Sequence, residues 1–337
     1  MYIIDMPLSK PYQIIIKDDL TSYINEEIKK VYKNKNIYIV TDKRVGDIYL
    51  SSIKNALKDF YVKEVVIEGY EKSKSLDTYA SVCEELINLG ITRSELLIAL
   101  GGGVIGDLVG FISSTLYRGI PFVQIPTSLL AQVDSSIGGK TGIDFLNHKN
   151  IIGAFNQPKL VLIDPTVLKT LPVEELKNGY GEMVKHALIH SKKLFDLLME
   201  HKLNVTKEII YENLLIKKYH VVLDEFDNNI RMKLNFGHTF GHIIELKTGV
   251  LHGEAVIDGM LCAIDYAIDK NLLSKEVKEE VLSLYKVLEL DYHNYDYHEF
   301  LRDVKYDKKN LAKTINLILI TEIGESVIYP VSEEELI

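Results

Sequence analysis

Two cysteines, Cys83 and Cys262, are all that 337 residues provide, both in apolar surroundings and without metal-type spacing. A disulfide framework is therefore excluded, and a reducing, cytoplasmic compartment is expected. Long basic runs are missing too: 39 Lys and Arg against 48 Asp and Glu leave a formal charge of −9. That argues against nucleic acid or an anionic membrane surface as the main partner, although an acidic chain can still hold an anion in a local basic pocket. No apolar run reaches membrane-spanning length, and "MYIIDMPLSKPYQIIIKDDL" at the start lacks both a signal-type apolar region and a cleavage site. The expectation is a soluble, unprocessed protein, and neither repeats nor low-complexity tracts are visible.

What is present is ordinary globular material, 47% hydrophobic and 26% charged with 21 glycines. The length exceeds what a single core usually serves, so two domains are expected. Through the first 160 or so residues, short apolar runs alternate with amphipathic stretches. Strands are expected at 12–17, 36–42, 63–69, 95–103 and 122–127, and a helix at 79–90 closed by Gly90. Strands separated by helices imply parallel βαβ units with a ligand at the carboxyl ends of the strands. Beyond "LVLIDPTVLKTLP" (160–172) the pattern becomes helical, with strand signals nearly absent until "INLILITEIG" (315–324). The fold class predicted is an α/β, Rossmann-like parallel-sheet domain over 1–165 followed by an all-α domain over 166–337.

"LLIALGGGVIGDLVGF" (96–111) runs from strand through glycines into a helix, and Gly101, Gly103 and Gly106 satisfy G-x-G-x-x-G. Such glycines let a backbone approach a pyrophosphate at a helix N-terminus. Alone the motif is equally a structural turn. The next stretch, "RGIPFVQIPTSLLAQVDSSIGGKTGID" (118–144), gathers Arg118, Thr127, Ser128, Asp134, Lys140 and Thr141 among small residues, and Lys149 and Asn150 follow. One long solvated loop would account for it, but so long a loop inside a compact domain is usually functional, which favours a dinucleotide or phosphate site.

In "LNFGHTFGHIIE" (234–245), His238 and His242 stand four apart with Glu245 three further on. That spacing stacks two imidazoles on one helix face, near enough to share a metal or an anion. Two ordinary polar positions would look the same, and the spacing alone favours them.

Together "GGGVIGDLVGF", "RGIPFVQIPTSLLAQVDSSIGGKTGID", "KNIIGAF", "TLPVEELKNGYGEMVK", "LNFGHTFGHIIE", "LHGEAVIDGM" and "DKKN" resemble, in order and over about 70–310, the 3-dehydroquinate synthases among the sugar phosphate cyclases. The resemblance implies NAD, a divalent metal supplied as zinc with cobalt an alternative, and a homodimer acting on a small sugar phosphate that also bears a carboxylate. It assigns the metal to Glu182, His238 and His252, and turns His242 toward the substrate for proton shuttling. Arg118, Lys140, Lys185, Lys217, Arg231, Asn235 and Lys308 would contact the substrate's anionic groups, with Lys218 and Lys309 the alternatives to Lys217 and Lys308. Lys140, Lys185, Asn235 and His242 carry the catalytic roles. For NAD it implies Asp42, Glu71, Lys74, Gly102, Gly103, Asp107, Thr127, Ser128, Asp134, Lys140, Lys149 and Thr170, with Asn150 placed beside both NAD and substrate.

The chemistry of these residue types agrees. Two histidines and a carboxylate leave a coordination position open, as a catalytic zinc requires. Arg and Lys supply the charge-assisted bonds that hold phosphate in a chain of net negative charge. Asp42 at a strand end suits a ribose hydroxyl, although it precedes the glycine loop where the usual fingerprint has the acid follow it. The reaction implied is on 3-deoxy-D-arabino-heptulosonate 7-phosphate: oxidation at C5, loss of phosphate from C7, reduction, ring opening and aldol closure. Departures from the pattern are Ser128 for Thr, His148 for Gly, Glu174 for Arg and Gly181 for Ala. The rivals are another sugar phosphate cyclase, a metal-dependent polyol dehydrogenase, and a non-catalytic nucleotide-binding protein.

Overall fold

The computed structural model describes residues 1–146, 148–307 and 315–331, the side chains of 302 and 304–307 excepted. The chain divides into two compact units, Met1–Pro172 and Val173–Ile337.

The first unit runs β1 (Tyr2–Met6), β2 (Tyr12–Ile16), α1 (Ile24–Val31), β3 (Asn36–Asp42), α2 (Lys43–Val45), α3 (Ser51–Ala56), β4 (Tyr61–Ile67), α4 (Leu76–Asn88), β5 (Leu96–Gly101), α5 (Gly103–Thr115), β6 (Phe122–Pro126), β7 (Lys140–Phe145), β8 (His148–Phe155) and β9 (Leu160–Ile163). Seven strands form one sheet in the order β1-β2-β9-β6-β5-β3-β4, parallel except for β1 against β2. Alternation along each strand separates two cores. Ile37, Ile39, Leu96, Ile98 and Leu100 face Ile24 and Ile28 of α1 and Ile53 of α3. Tyr38, Val40, Leu97 and Ala99 face Val82 and Leu86 of α4 and Ile105, Leu108 and Ile112 of α5. With helices on both faces the strands need apolar residues at every position, which is why β5 is buried throughout. α4 stops as its sequence foretold: Gly90 takes φ 84°, and Ile91 N–H reaches back to Leu86 O at 3.0 Å.

The stretch 118–155 is not one loop. It contains β6, a π-helical turn over Ala131–Ser135 and the antiparallel hairpin β7–β8. Gly119, Gly138 and Gly139 turn the chain at positive φ, whereas Gly142 and Gly153 serve close approach: a Cβ on Gly153 would come within 2.3 Å of Thr141 O, and one on Gly142 within 2.8 Å of Ile152 O.

The second unit holds α6 (Val173–His190), α7 (Lys192–His201), α8 (Lys207–Leu223), α9 (His238–Thr248), α10 (His252–Asp269), α11 (Lys275–Val287) and α12 (His298–Asp307), then the hairpin of β10 (Ile315–Glu322) and β11 (Glu325–Val331). Among the described residues the unit is thus helical with one two-stranded sheet, and no helix is long and apolar enough to cross a membrane. α10 is its central element, with thirteen buried residues from Gly253 to Ala267. Small residues let α9 lie close on it: a Cβ on Gly259 would fall 2.1 Å from Gly237 O, and one on Gly241 2.8 Å from Ala255 O.

Candidate metal and dinucleotide sites

Three elements of the second unit converge on one carboxylate. Glu182, in the third turn of α6, is 1% exposed. Its Oε1 lies 3.5 Å from Nε2 of His238, the first residue of α9, and 3.9 Å from Nε2 of His252, the first residue of α10. The ligand atoms of all three fall within 4.8 Å of one another. Gly237, at φ 78°, makes the left-handed turn that starts α9 at His238. The start of α10 is pinned by Asn178, whose Oδ1 accepts the Gly253 N–H at 2.6 Å. Gly181 belongs to the same contact, because a Cβ there would meet Gly253 O at 3.0 Å. The departure from Ala at 181 therefore suits the close crossing of α6 and α10.

The donor set fits a divalent metal. Burial, and after it the Lys185 ammonium, pushes His238 down to about 3, so its imidazole is neutral at pH 7 and has a lone pair to give. His238 Nδ1 lies 3.2 Å from Phe236 O, and His252 Nδ1 lies 3.3 Å from Glu245 Oε2. Each acceptor suits a proton on Nδ1, which leaves Nε2 as the nitrogen on the Glu182 side of both rings. The other Glu182 oxygen, Oε2, pairs with Lys185 Nζ, and this pair is 2% exposed on each side.

His242 does not share the carboxylate. It is exposed, with its ring 5.5 Å from that of His238 and 6.2 Å from that of His252. Arg231 is 2% exposed in the 3-10 helix Ile230–Asn235, its Nη1 donating to Glu225 O at 2.5 Å, while Asn235 at the end of that helix is exposed. Lys217 is buried in α8. Lys308 and Lys309 lie outside the described residues. Two side chains hold the His252 turn: Glu245, which the sequence reading named beside the two histidines without a role, and Asn178, which it did not name. Glu245 had a signal in its place two turns after His238, and Asn178 had none.

In the first unit, β3 and β5 are neighbours, so Asp42 at the end of one strand stands beside Gly101 at the end of the other. Chain order had separated them. This is the point where the sheet reverses its winding, the usual place for a ligand crevice. Gly102 caps α5 in extended conformation with Gly103 as the first helical residue, and Cβ atoms there would lie 3.3 Å from Ser128 Oγ and 3.1 Å from Ser135 Oγ. Lys74, 5% exposed, links Asp107 at 2.9 Å to Asn150 Oδ1, and Asn150 N–H donates to Asp144 Oδ1 at 2.7 Å. Desolvation opposes the charge on Lys74, but Asp107 and Glu71 outweigh it and raise its pKa; burial raises that of Asp107. Lys149 reaches Glu71 at 3.9 Å. Thr127 is buried after β6, and Asp134 lies in the Ala131–Ser135 turn. Thr170 Oγ1 meets the Tyr49 hydroxyl at 2.6 Å. Lys140 is exposed at the start of β7. Arg118 stands apart from this group, beyond the far end of α5 from its glycines, with φ 62°. At 1.5 Å per residue that is a distance of about 20 Å.

Two family models match successive parts of the chain: 3-dehydroquinate synthase N-terminal over residues 64–178 and 3-dehydroquinate synthase C-terminal over 179–310. A 3-dehydroquinate synthase of Streptococcus pneumoniae (strain JJA) is 42% identical over 99% of this chain and 97% of its own length. Among solved structures, 2-epi-5-epi-valiolone synthase from Streptomyces hygroscopicus subsp. jinggangensis 5008, with NAD+ and Zn2+ bound, superposes with TM-score 0.87 at 28% identity over 96% of this chain and 94% of that one. A 2-deoxy-scyllo-inosose synthase with carbaglucose-6-phosphate, NAD+ and Co2+ gives TM-score 0.87 at 21% identity over 99% and 98%, a likeness of fold. Identity at this level along the whole length, in a chain that brings Glu182, His238 and His252 together, places it: the chain is an enzyme of the 3-dehydroquinate synthase family.

Proposed function

We propose that this enzyme converts 3-deoxy-D-arabino-heptulosonate 7-phosphate to 3-dehydroquinate and phosphate, a carbon–oxygen lyase reaction of the shikimate pathway with no net oxidation. The observation that carries the proposal is the convergence of Glu182, His238 and His252 from three helices. Identity of 42% to 3-dehydroquinate synthase, against 28% to the valiolone synthase, favours this substrate over other sugar phosphates.

Glu182, His238 and His252 would hold the metal, and the glycine end of α5 with Asp42 would hold NAD; when bound, these groups supply a Lewis acid and a reversible hydride acceptor. The remaining work falls to side chains. Lys185, beside Glu182 Oε2, keeps a cation next to the buried carboxylate and offers charge to an anionic oxygen. His242 is exposed beside both ligand histidines, where an imidazole can take and return a proton at the substrate. Arg231 and Asn235 would take the carboxylate, and Lys140, Lys217 and Lys308 the phosphate. The reading extends to a cytoplasmic homodimer, with which two free cysteines are in keeping.

The test is product identification. Purified protein with NAD and zinc, given the heptulosonate phosphate, is expected to yield dehydroquinate by NMR and equimolar phosphate. Turnover of another sugar phosphate in its place would overturn the substrate assignment.

A further inference from the structure

On the reading that Glu182, His238 and His252 hold a divalent metal, we propose that Glu245 is a positioning residue that fixes His252 for that metal from behind the ring. Each nitrogen of His252 faces a different carboxylate: Nε2 lies 3.9 Å from Glu182 Oε1, and Nδ1 lies 3.3 Å from Glu245 Oε2. An ionised carboxylate only accepts, so the Nδ1 proton is held on the Glu245 side and the Nε2 lone pair is left for the metal.

The two ligand histidines are anchored differently. His238 leans on a main-chain carbonyl, Phe236 O at 3.2 Å, which no substitution removes. His252 leans on a side chain. It also opens α10 with its side chain 31% exposed, against 16% for His238, so packing restrains it less. Glu245 is itself well held, 15% exposed and two turns after His238 on α9. One helix therefore supplies a ligand and the anchor of a second ligand carried by α10. Glu245 is not a fourth ligand, because it meets His252 at the nitrogen opposite the one that faces Glu182. That leaves the open coordination position of a catalytic site intact.

The experiment compares metal-free wild type, Glu245→Ala, Glu245→Gln and Glu182→Gln, each titrated with zinc against a chromophoric chelator and each loaded with cobalt(II) for its visible spectrum. Glu245→Ala is expected to bind zinc about 10- to 100-fold more weakly, with a shifted cobalt spectrum. Glu245→Gln, whose amide oxygen still accepts from Nδ1, is expected to recover most of that affinity, and Glu182→Gln to lose the metal. Wild-type affinity and spectrum in Glu245→Ala, with metal lost in Glu182→Gln, would overturn the role of Glu245 alone. Equal weakening in Ala and Gln would overturn it as well, since Gln keeps the acceptor. Wild-type affinity in Glu182→Gln would instead overturn the metal reading, and this inference with it. If Glu245→Ala fails to fold, Glu245→Met, of similar size but without the oxygen acceptor, decides: weaker zinc binding with an altered cobalt spectrum supports the role, and wild-type affinity and spectrum refute it.

Discussion

Nε2 of His238 stands 3.5 Å from Oε1 of Glu182, joining the first residue of α9 to the third turn of α6. The other carboxylate oxygen carries the Lys185 ammonium, and almost no water reaches the pair. Removing the carboxylate strands a buried charge, so Glu182→Ala is expected to destabilise the metal-free protein by about 3–5 kcal/mol. Glu182→Gln, which keeps an acceptor, should lose less. Urea unfolding of the two variants gives the comparison.

On the proposed reading His238 and His242 differ in function. His242→Ala is expected to keep zinc affinity within about three-fold of wild type while lowering kcat by about 100- to 10,000-fold, the usual worth of a general acid or base. His238→Ala should lose the metal itself. Chelator competition beside turnover distinguishes a ligand from a proton carrier.

Gly237→Ala tests the turn that aims His238. The glycine has φ 78°, and a Cβ would meet Met260 Cγ at 2.5 Å and Val256 O at 2.8 Å. A loss of about 1–3 kcal/mol is expected from backbone strain, with weaker zinc binding. An unchanged melting temperature and zinc affinity would contradict it.

Acid should weaken the metal-free protein through His220. The side chain is fully buried with Nδ1 3.0 Å from Ile216 O, and burial lowers its pKa from 6.5 to about 4. The unfolded chain therefore binds a proton first, so stability is complete above pH 6.5 and falls as pH drops toward 4. The contribution is about 3 kcal/mol from a shift of this size. His220→Phe should flatten the decline in urea midpoints between those limits.

On the nucleotide side, Lys74→Met should weaken NAD binding by about 10- to 100-fold, the cost of a lost charged hydrogen-bond network. Asp107 and Asn150 would lose the cation that ties them together. Zinc affinity should not change, and calorimetry with each ligand measures both.

Much of this was legible in the sequence because local and global signals agreed. β3 spans 36–42 as its apolar run indicates, and α6 spans 173–190 as its helical pattern does. The hairpin of β7 and β8 was hidden because Gly142 and Gly153 read as loop formers, whereas they let two backbones approach. Asp42 looked out of place because chain order does not give strand order, and only β3 pairing with β5 brings it to the glycine loop. The convergence of Glu182, His238 and His252 from three elements was legible by resemblance alone; spacing would have paired His238 with His242. The carboxylate behind His252 depends on how α9 crosses α10, which no local pattern encodes.

The central claim meets its most direct test when phosphate release and absorbance at the NADH maximum are recorded together, with zinc present and NAD far below the heptulosonate phosphate. The account predicts many phosphates released per NAD with no accumulation of NADH. NADH formed in proportion to NAD, with no phosphate, would contradict it and leave a dehydrogenase.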